Sequence, residues 1–88
     1  MHEEALLIKL LKKIEIIAEE NQADKVTKVK IQLGALSYIS KEQFIEHFYI
    51  ESKGTIAEGA ELDVYISQDL YDPHAQDIML KRVDVRKP

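Results

Sequence analysis

The stretch "KVTKVKIQLG" (residues 25–34) decides the fold. Thr27, Val29, Ile31 and Leu33 alternate with Lys28, Lys30 and Gln32, which is the period of a strand with one apolar face and one wet face. Upstream, from Ala5 to Ala18, the apolar residues Leu6, Leu7, Leu10, Leu11, Ile14, Ile17 and Ala18 recur at three- and four-residue steps. That stripe is one face of an amphipathic helix of about four turns. Ile8 and Ile16 lie off its centre and make the face broad. The segment "NQAD" (residues 21–24) then stops the helix with turn-forming residues.

Downstream, Gly34 and "ALSY" lead into a second helix start. Ser40 and Gln43 match an S-x-x-Q capping box, and Ile39 is placed to staple onto Phe44. The spacing predicts a helix from about Lys41 to Ser52, with Phe44, Phe48 and one of Ile45 or Tyr49 inward. Gly54 follows where a left-handed cap is expected. After a turn at Gly59 a second strand places Leu62, Val64 and Ile66 on one face. The polar loop "QDLYDPHAQD" (residues 68–77) breaks at Asp72-Pro73. The last strand, "IMLKRVDVR" (residues 78–86), is expected to put Met79, Lys81, Val83 and Val85 on one side. The order is α-β-α-β-β, an α+β sandwich of two helices packed on a three-stranded sheet. The last two strands are expected to close as a hairpin across the loop.

All 88 residues make one domain with a single small core. The hydrophobic fraction of 45% and the charged fraction of 32% belong to a soluble globular chain rather than a disordered tail. A net charge of −4 gives no general footprint for nucleic acid or an anionic membrane. There is no cysteine, which excludes disulfides, thiolate zinc sites and cysteine nucleophiles, and fits a reducing cytoplasm. The first helix is too charged for a secretory signal, and no apolar run approaches the roughly 18–20 residues that span a bilayer. A soluble cytoplasmic protein is expected.

No enzymatic constellation emerges: there is no nucleophile elbow, H-E-x-x-H, phosphate-binding glycine loop or dinucleotide fingerprint. The start, "MHEE", carries more chemistry. A bulky second residue favours retention of Met1, which then supplies a free α-amine with a reference pKa of about 7.7–8.0. A metal can displace that proton at neutral pH. The His2 imidazole is close in covalent terms, and the amides of His2 and Glu3 lie between. Nickel(II) and copper(II) favour square-planar nitrogen sites of this composition. First-turn amides of a helix have no intrahelical acceptor, so ligation by them breaks no helical bond. "MHEE" is equally an ordinary helix start, with Glu3 and Glu4 favoured by the helix dipole. His47 reads as half-exposed structure on the second helix. His74 reads as a loop residue, with Asp72 and Asp77 close enough to keep a supplementary ligand role open.

Three segments together resemble the nickel-incorporation proteins of hydrogenase maturation, the HypA family with its HybF paralogues. These are "MHEEALLIKLLKKI" (residues 1–14), "KVTKVKIQLGALSYI" (residues 25–39) and "SKGTIAEGAELDV" (residues 52–64). The likeness covers roughly residues 1–67, and "KRVDV" (residues 81–85) resembles the family's closing strand. It implies a non-catalytic metallochaperone that delivers Ni(II) to [NiFe] hydrogenase, and in some bacteria to urease. The implied partners are the maturation GTPase HypB and the hydrogenase precursor. The implied ligands are Met1, His2 and Glu3, with Glu3 contributing chiefly its backbone nitrogen, and His74 as a supplementary candidate. Family members insert a zinc domain with two C-x-x-C pairs before the closing strand. Here a short loop, about residues 67–78, stands in that place, and no zinc is expected. A rival reading keeps the same domain as an interaction scaffold with an idle metal site, where the face around Ile8 and Ile16 docks a partner helix or a second copy.

Overall fold

The structure is a computed structural model that describes residues 3–37 and 39–88. Helix α1 spans Glu3–Glu20, strand β1 Lys25–Leu33, helix α2 Lys41–Glu51, strand β2 Glu61–Ile66 and strand β3 Ile78–Arg86. The expected order α-β-α-β-β is the observed one. The helices lie on one face of a three-stranded mixed sheet in the order β2-β1-β3, with β1 parallel to β2 and antiparallel to β3.

The expected hairpin between the last two strands is absent. β2 and β3 occupy opposite edges, and residues 67–77 cross the end of β1 to connect them. The β1–α2–β2 segment explains this. A helix between two strands returns the chain to the same starting end, so the second strand pairs parallel. The free edge of β1 is then the remaining site for β3.

The stripe read from the first helix buries Leu7, Leu10, Leu11, Ile14 and Ala18, while Ile8 and Ile16 stand half out in solvent on its shoulders. The helix ends in a Schellman motif. Ala23 N–H donates to Ala18 O at 2.9 Å and Gln22 N–H to Glu19 O at 3.0 Å, with Gln22 left-handed at φ 55°. In α2 the capping box is formed, Gln43 N–H to Ser40 Oγ at 3.1 Å and Ser40 N–H to Gln43 Oε1 at 3.2 Å. Phe44 and Phe48 are fully buried, Ile45 packs against the core, and Tyr49 is exposed. Burying each phenylalanine contributes about 1.5–3 kcal/mol.

The alternation along two strands departs from the expected one. Val26 is buried and Thr27 exposed, and across the sheet Leu80 packs against the core while Lys81 is exposed. Register shifts between Val26 and Lys28 and between Lys30 and Ile31 account for both. Thr27 is an extra residue on β1 and Lys81 an extra residue on β3. Each bulge reverses the side on which the following residues emerge. The core face of the pair therefore reads Val26–Val85, Val29–Val83, Ile31–Leu80 and Leu33–Ile78. Met79 and Lys81 do not share a side with Val83 and Val85. On β2, Val64 is buried and Leu62 partly so, but Ile66 at the strand end is exposed.

The opposite face of the sheet is wet and carries charges of both signs. Lys28 lies between Glu61 and Asp84, Lys30 between Asp63 and Arg82, and the Lys28–Glu61 pair closes at 3.4 Å. Lys30 also sits over the Tyr65 ring, 5.8 Å from its centroid.

Candidate metal centre

The chain reverses over Asn21–Asp24, so β1 runs back along α1. Lys13 and Ile17 of α1 lie beside Leu80–Val83 of β3, which fixes the direction. From Lys13 back to Glu3 the helix extends about 15 Å, whereas β3 from Leu80 back to Ile78 extends only about 7 Å. The start of α1 therefore projects past the sheet at the end where β1 and β2 finish and β3 begins. Met1 and His2 lie outside the described residues. Glu3 is the first residue of α1, so its backbone N–H is one of those without an intrahelical acceptor.

The crossing loop occupies this same end. Ser67 N–H donates to Leu33 O at 2.9 Å, Leu36 N–H to Ala75 O at 2.7 Å and Gly34 N–H to Asp77 O at 2.9 Å. Ala75 is buried beneath these bonds. A Cβ on Gly34 would lie 2.1 Å from Ala75 O and 2.4 Å from Ala75 C, so glycine is required by the loop's close approach. In the sequence Gly34 only leads into the second helix start, because its contact partner Ala75 is 41 residues away and nothing local signals it.

His74 rides on that pinned loop. Its backbone N–H donates to Asp72 Oδ1 at 2.8 Å, and its ring Nδ1 lies 2.9 Å from Asp77 Oδ2. The residues singled out around it are thus brought together, and the ring is exposed. His47 sits partly exposed on α2. Among the described residues, no three His, Asp or Glu side chains form a group that holds a metal by themselves. Around the loop Leu36, Ile66, Leu70 and Tyr71 stay exposed, Tyr71 almost completely at 94%. In the sequence Ile66 falls on one face of the second strand with Leu62 and Val64, and Leu36, Leu70 and Tyr71 have no assigned role because they fall in connecting segments. Among the described residues, no helix is long and apolar enough to cross a membrane.

The family match places this α+β domain in a class of nickel-incorporation proteins. Residues 1–70 match the family model described as "Hydrogenase/urease nickel incorporation, metallochaperone, hypA". The chain belongs to this HypA family. Curated relatives named hydrogenase maturation factor HypA include those of Archaeoglobus fulgidus and Aquifex aeolicus. Each is 40% identical over 68 residues, 77% of this chain, covering 62% and 59% of the relative respectively. The chain thus spans about three fifths of the length of the curated relatives it matches. The solution structure of the Ni metallochaperone HypA from Helicobacter pylori superposes with a TM-score of 0.81 at 18% identity, over all of both chains. A second HypA solution structure gives 0.75 at 18% identity, covering 97% of this chain and 96% of that one. The fold likeness therefore includes β3, which lies beyond the residues matched by the family model.

Proposed function

We propose that this chain is a non-catalytic nickel carrier of hydrogenase maturation, acting in the cytoplasm. It binds Ni(II) through the Met1 amine, the His2 imidazole and the backbone nitrogens of His2 and Glu3. The observation that carries this reading is the family match over residues 1–70, which takes in Met1, His2 and Glu3. The donor set suits the ion, because amine, imidazole and amide nitrogens are ligands that nickel(II) accepts in planar geometry. The amides at the start of α1 are free for that use. Nickel is cargo, and it leaves by stepwise exchange onto a partner's ligands. By family analogy the partners are a maturation GTPase of the HypB type and a hydrogenase precursor.

The chain contains no cysteine, and residues 67–77 join β2 to β3 directly. We take this loop to stand where family members carry their zinc domain, so no zinc enters the reading. Functions that depend on zinc-domain contacts fall outside it. The test is a nickel titration of the chain with Met1 free against the same chain with its amine blocked by an uncleaved tag. Blocking should remove most of the binding. Equal affinity for both forms contradicts the terminal site.

The exposed apolar residues Leu36, Ile66, Leu70 and Tyr71, with Ile8 and Ile16 on α1, favour a second reading as an interaction scaffold or homodimer. On that reading, partner binding is unchanged by His2→Ala and by a chelator. On the first, both reduce nickel-dependent association.

A further inference from the structure

We propose that the free edge of β3, beside α1, accepts an extended segment of another protein as an added antiparallel strand, and that the segment it fits alternates apolar with acidic residues. This goes beyond the nickel reading and does not depend on it. Three observations converge on that occupant. The first is the backbone. Among the described residues, β1 pairs with one side of β3 and no strand pairs with the other. Thr27 Oγ1 donates to Asp84 O at 3.2 Å and Asp24 N–H to Arg86 O at 2.9 Å, so both carbonyls face the β1 side. Backbone groups alternate in direction along a strand, which turns those of Val83 and Val85 toward the open edge. Their N–H and C=O groups are a template for one more extended chain.

The second is the surface beside that edge. Val83 and Val85 are half-buried whereas their β1 partners Val29 and Val26 are fully buried, because β3 has a neighbouring strand on one side only. Between β3 and α1 an open groove of about 260 Å³ is lined by Ile17, Leu80 and Val83 together with Lys13, Lys81 and Arg82. A residue opposite Val83 emerges on the helix face, toward Ile17, and its neighbours emerge on the wet face, opposite Arg82 and Asp84. The third is charge. In a chain of net charge −4 this groove gathers three cations, and Asp84 engages Arg82 through Nε at 2.6 Å. The other edge of the sheet, on β2, carries exposed Glu61 and Asp63 instead. An acidic strand is therefore drawn to β3 and repelled by β2. Charges and a bulge on an edge also keep strands from pairing with their own kind. Two β3 edges would bring two sets of cations together, and β2 of one copy on β3 of the next would grow into an open filament rather than a closed pair. A separate acidic segment meets neither obstacle.

The experiment is an NMR titration of the full isotope-labelled chain with the peptide Thr-Val-Thr-Val-Glu-Val-Glu. Laid antiparallel to β3, this peptide puts valines opposite Val85 and Val83 and a glutamate opposite Arg82. The amide signals of Val83 and Val85 should shift saturably, and their hydrogen exchange should slow by about 10-fold or more at saturation. The same peptide N-methylated at its valine amides keeps the charges but loses the strand bonds, so it should leave those signals in place. With lysine in place of glutamate, binding should weaken by about 10-fold. The original peptide should weaken similarly against the Lys81→Glu, Arg82→Glu double variant, whose circular dichroism stays unchanged. Equal binding of the N-methylated peptide would overturn strand addition and leave only charge attraction. Shifts confined to residues 61–66 or 67–77, or no shift at a large peptide excess, would overturn the assignment to β3. Sedimentation of the chain alone supplies the remaining arm. A dimer whose Val83 and Val85 amides are already protected would give this edge to a second copy and overturn the proposal.

Discussion

The two ends of this elongated molecule are built differently. At one end α1 stops, β1 and β2 begin and β3 finishes, and almost every strand terminus is tied. Val26 N–H donates to Ile56 O at 3.0 Å, Asp24 N–H to Arg86 O at 2.9 Å, and the Lys25 ammonium reaches Glu58 O. Arg86 Nε pairs with Asp24 at 3.2 Å, and Ala57 and Ala60 are buried under the turns. At the other end the chain is also pinned, through Gly34 and Ala75, but it displays a histidine, carboxylates and four uncovered apolar side chains. One end closes the core, and the other displays exposed side chains on a pinned loop. A small domain can separate these tasks because the sheet between them carries the stability.

Phe48→Ala should have the largest effect on that separation. It removes a fully buried ring from the shared core and should cost about 3–5 kcal/mol in denaturant unfolding. A loss below 1 kcal/mol would show that the sheet and helices do not support both ends together. Gly34→Ala comes next. The new methyl meets backbone atoms of Ala75, so about 2–3 kcal/mol should be lost. A neutral outcome would mean the loop lifts easily, and the contrast between a pinned platform and a mobile appendage would have to be redrawn. Ser40→Ala removes the capping hydroxyl of α2 at the same end and should cost about 1 kcal/mol by thermal unfolding. At the closed end the expected change is a gain. Gln22 is left-handed at φ 55° where glycine is usual, so Gln22→Gly should raise stability by about 0.5–1 kcal/mol. A loss there would show that the Gln22 side chain contributes to closing that end.

The closed end and the core were largely legible in the sequence. The 3.6-residue stripe of α1 and the S-x-x-Q start of α2 are local signals, and both elements form where those signals sit. The faces of β1 and β3 were misread because strict alternation assumes an unbroken ladder. Thr27 and Lys81 are bulged residues, and a bulge depends on the partner strand rather than on local composition. The crossing of residues 67–77 was misread for a related reason. A short polar loop between two strands resembles a hairpin loop, but β1–α2–β2 had already claimed one neighbour of the central strand. Gly34 records that crossing, yet its meaning appears only once Ala75 lies over it. At the candidate metal centre, the grouping of His74 with Asp72 and Asp77 follows from their spacing, and the geometry bears it out. Met1 and His2 lie outside the described residues, and their proposed role rests on donor chemistry and family likeness.

The most direct test of the central claim is a titration of the tagless chain, with Met1 verified by mass, with Ni(II) near neutral pH beside His2→Ala. Protons compete for the amine and the imidazole, so the affinity should also fall as the pH is lowered below neutral. The account predicts one-to-one binding that His2→Ala largely abolishes while leaving the unfolding midpoint unchanged. Equally weak binding in both chains would contradict it and leave the domain as a scaffold whose open end meets a protein rather than a metal.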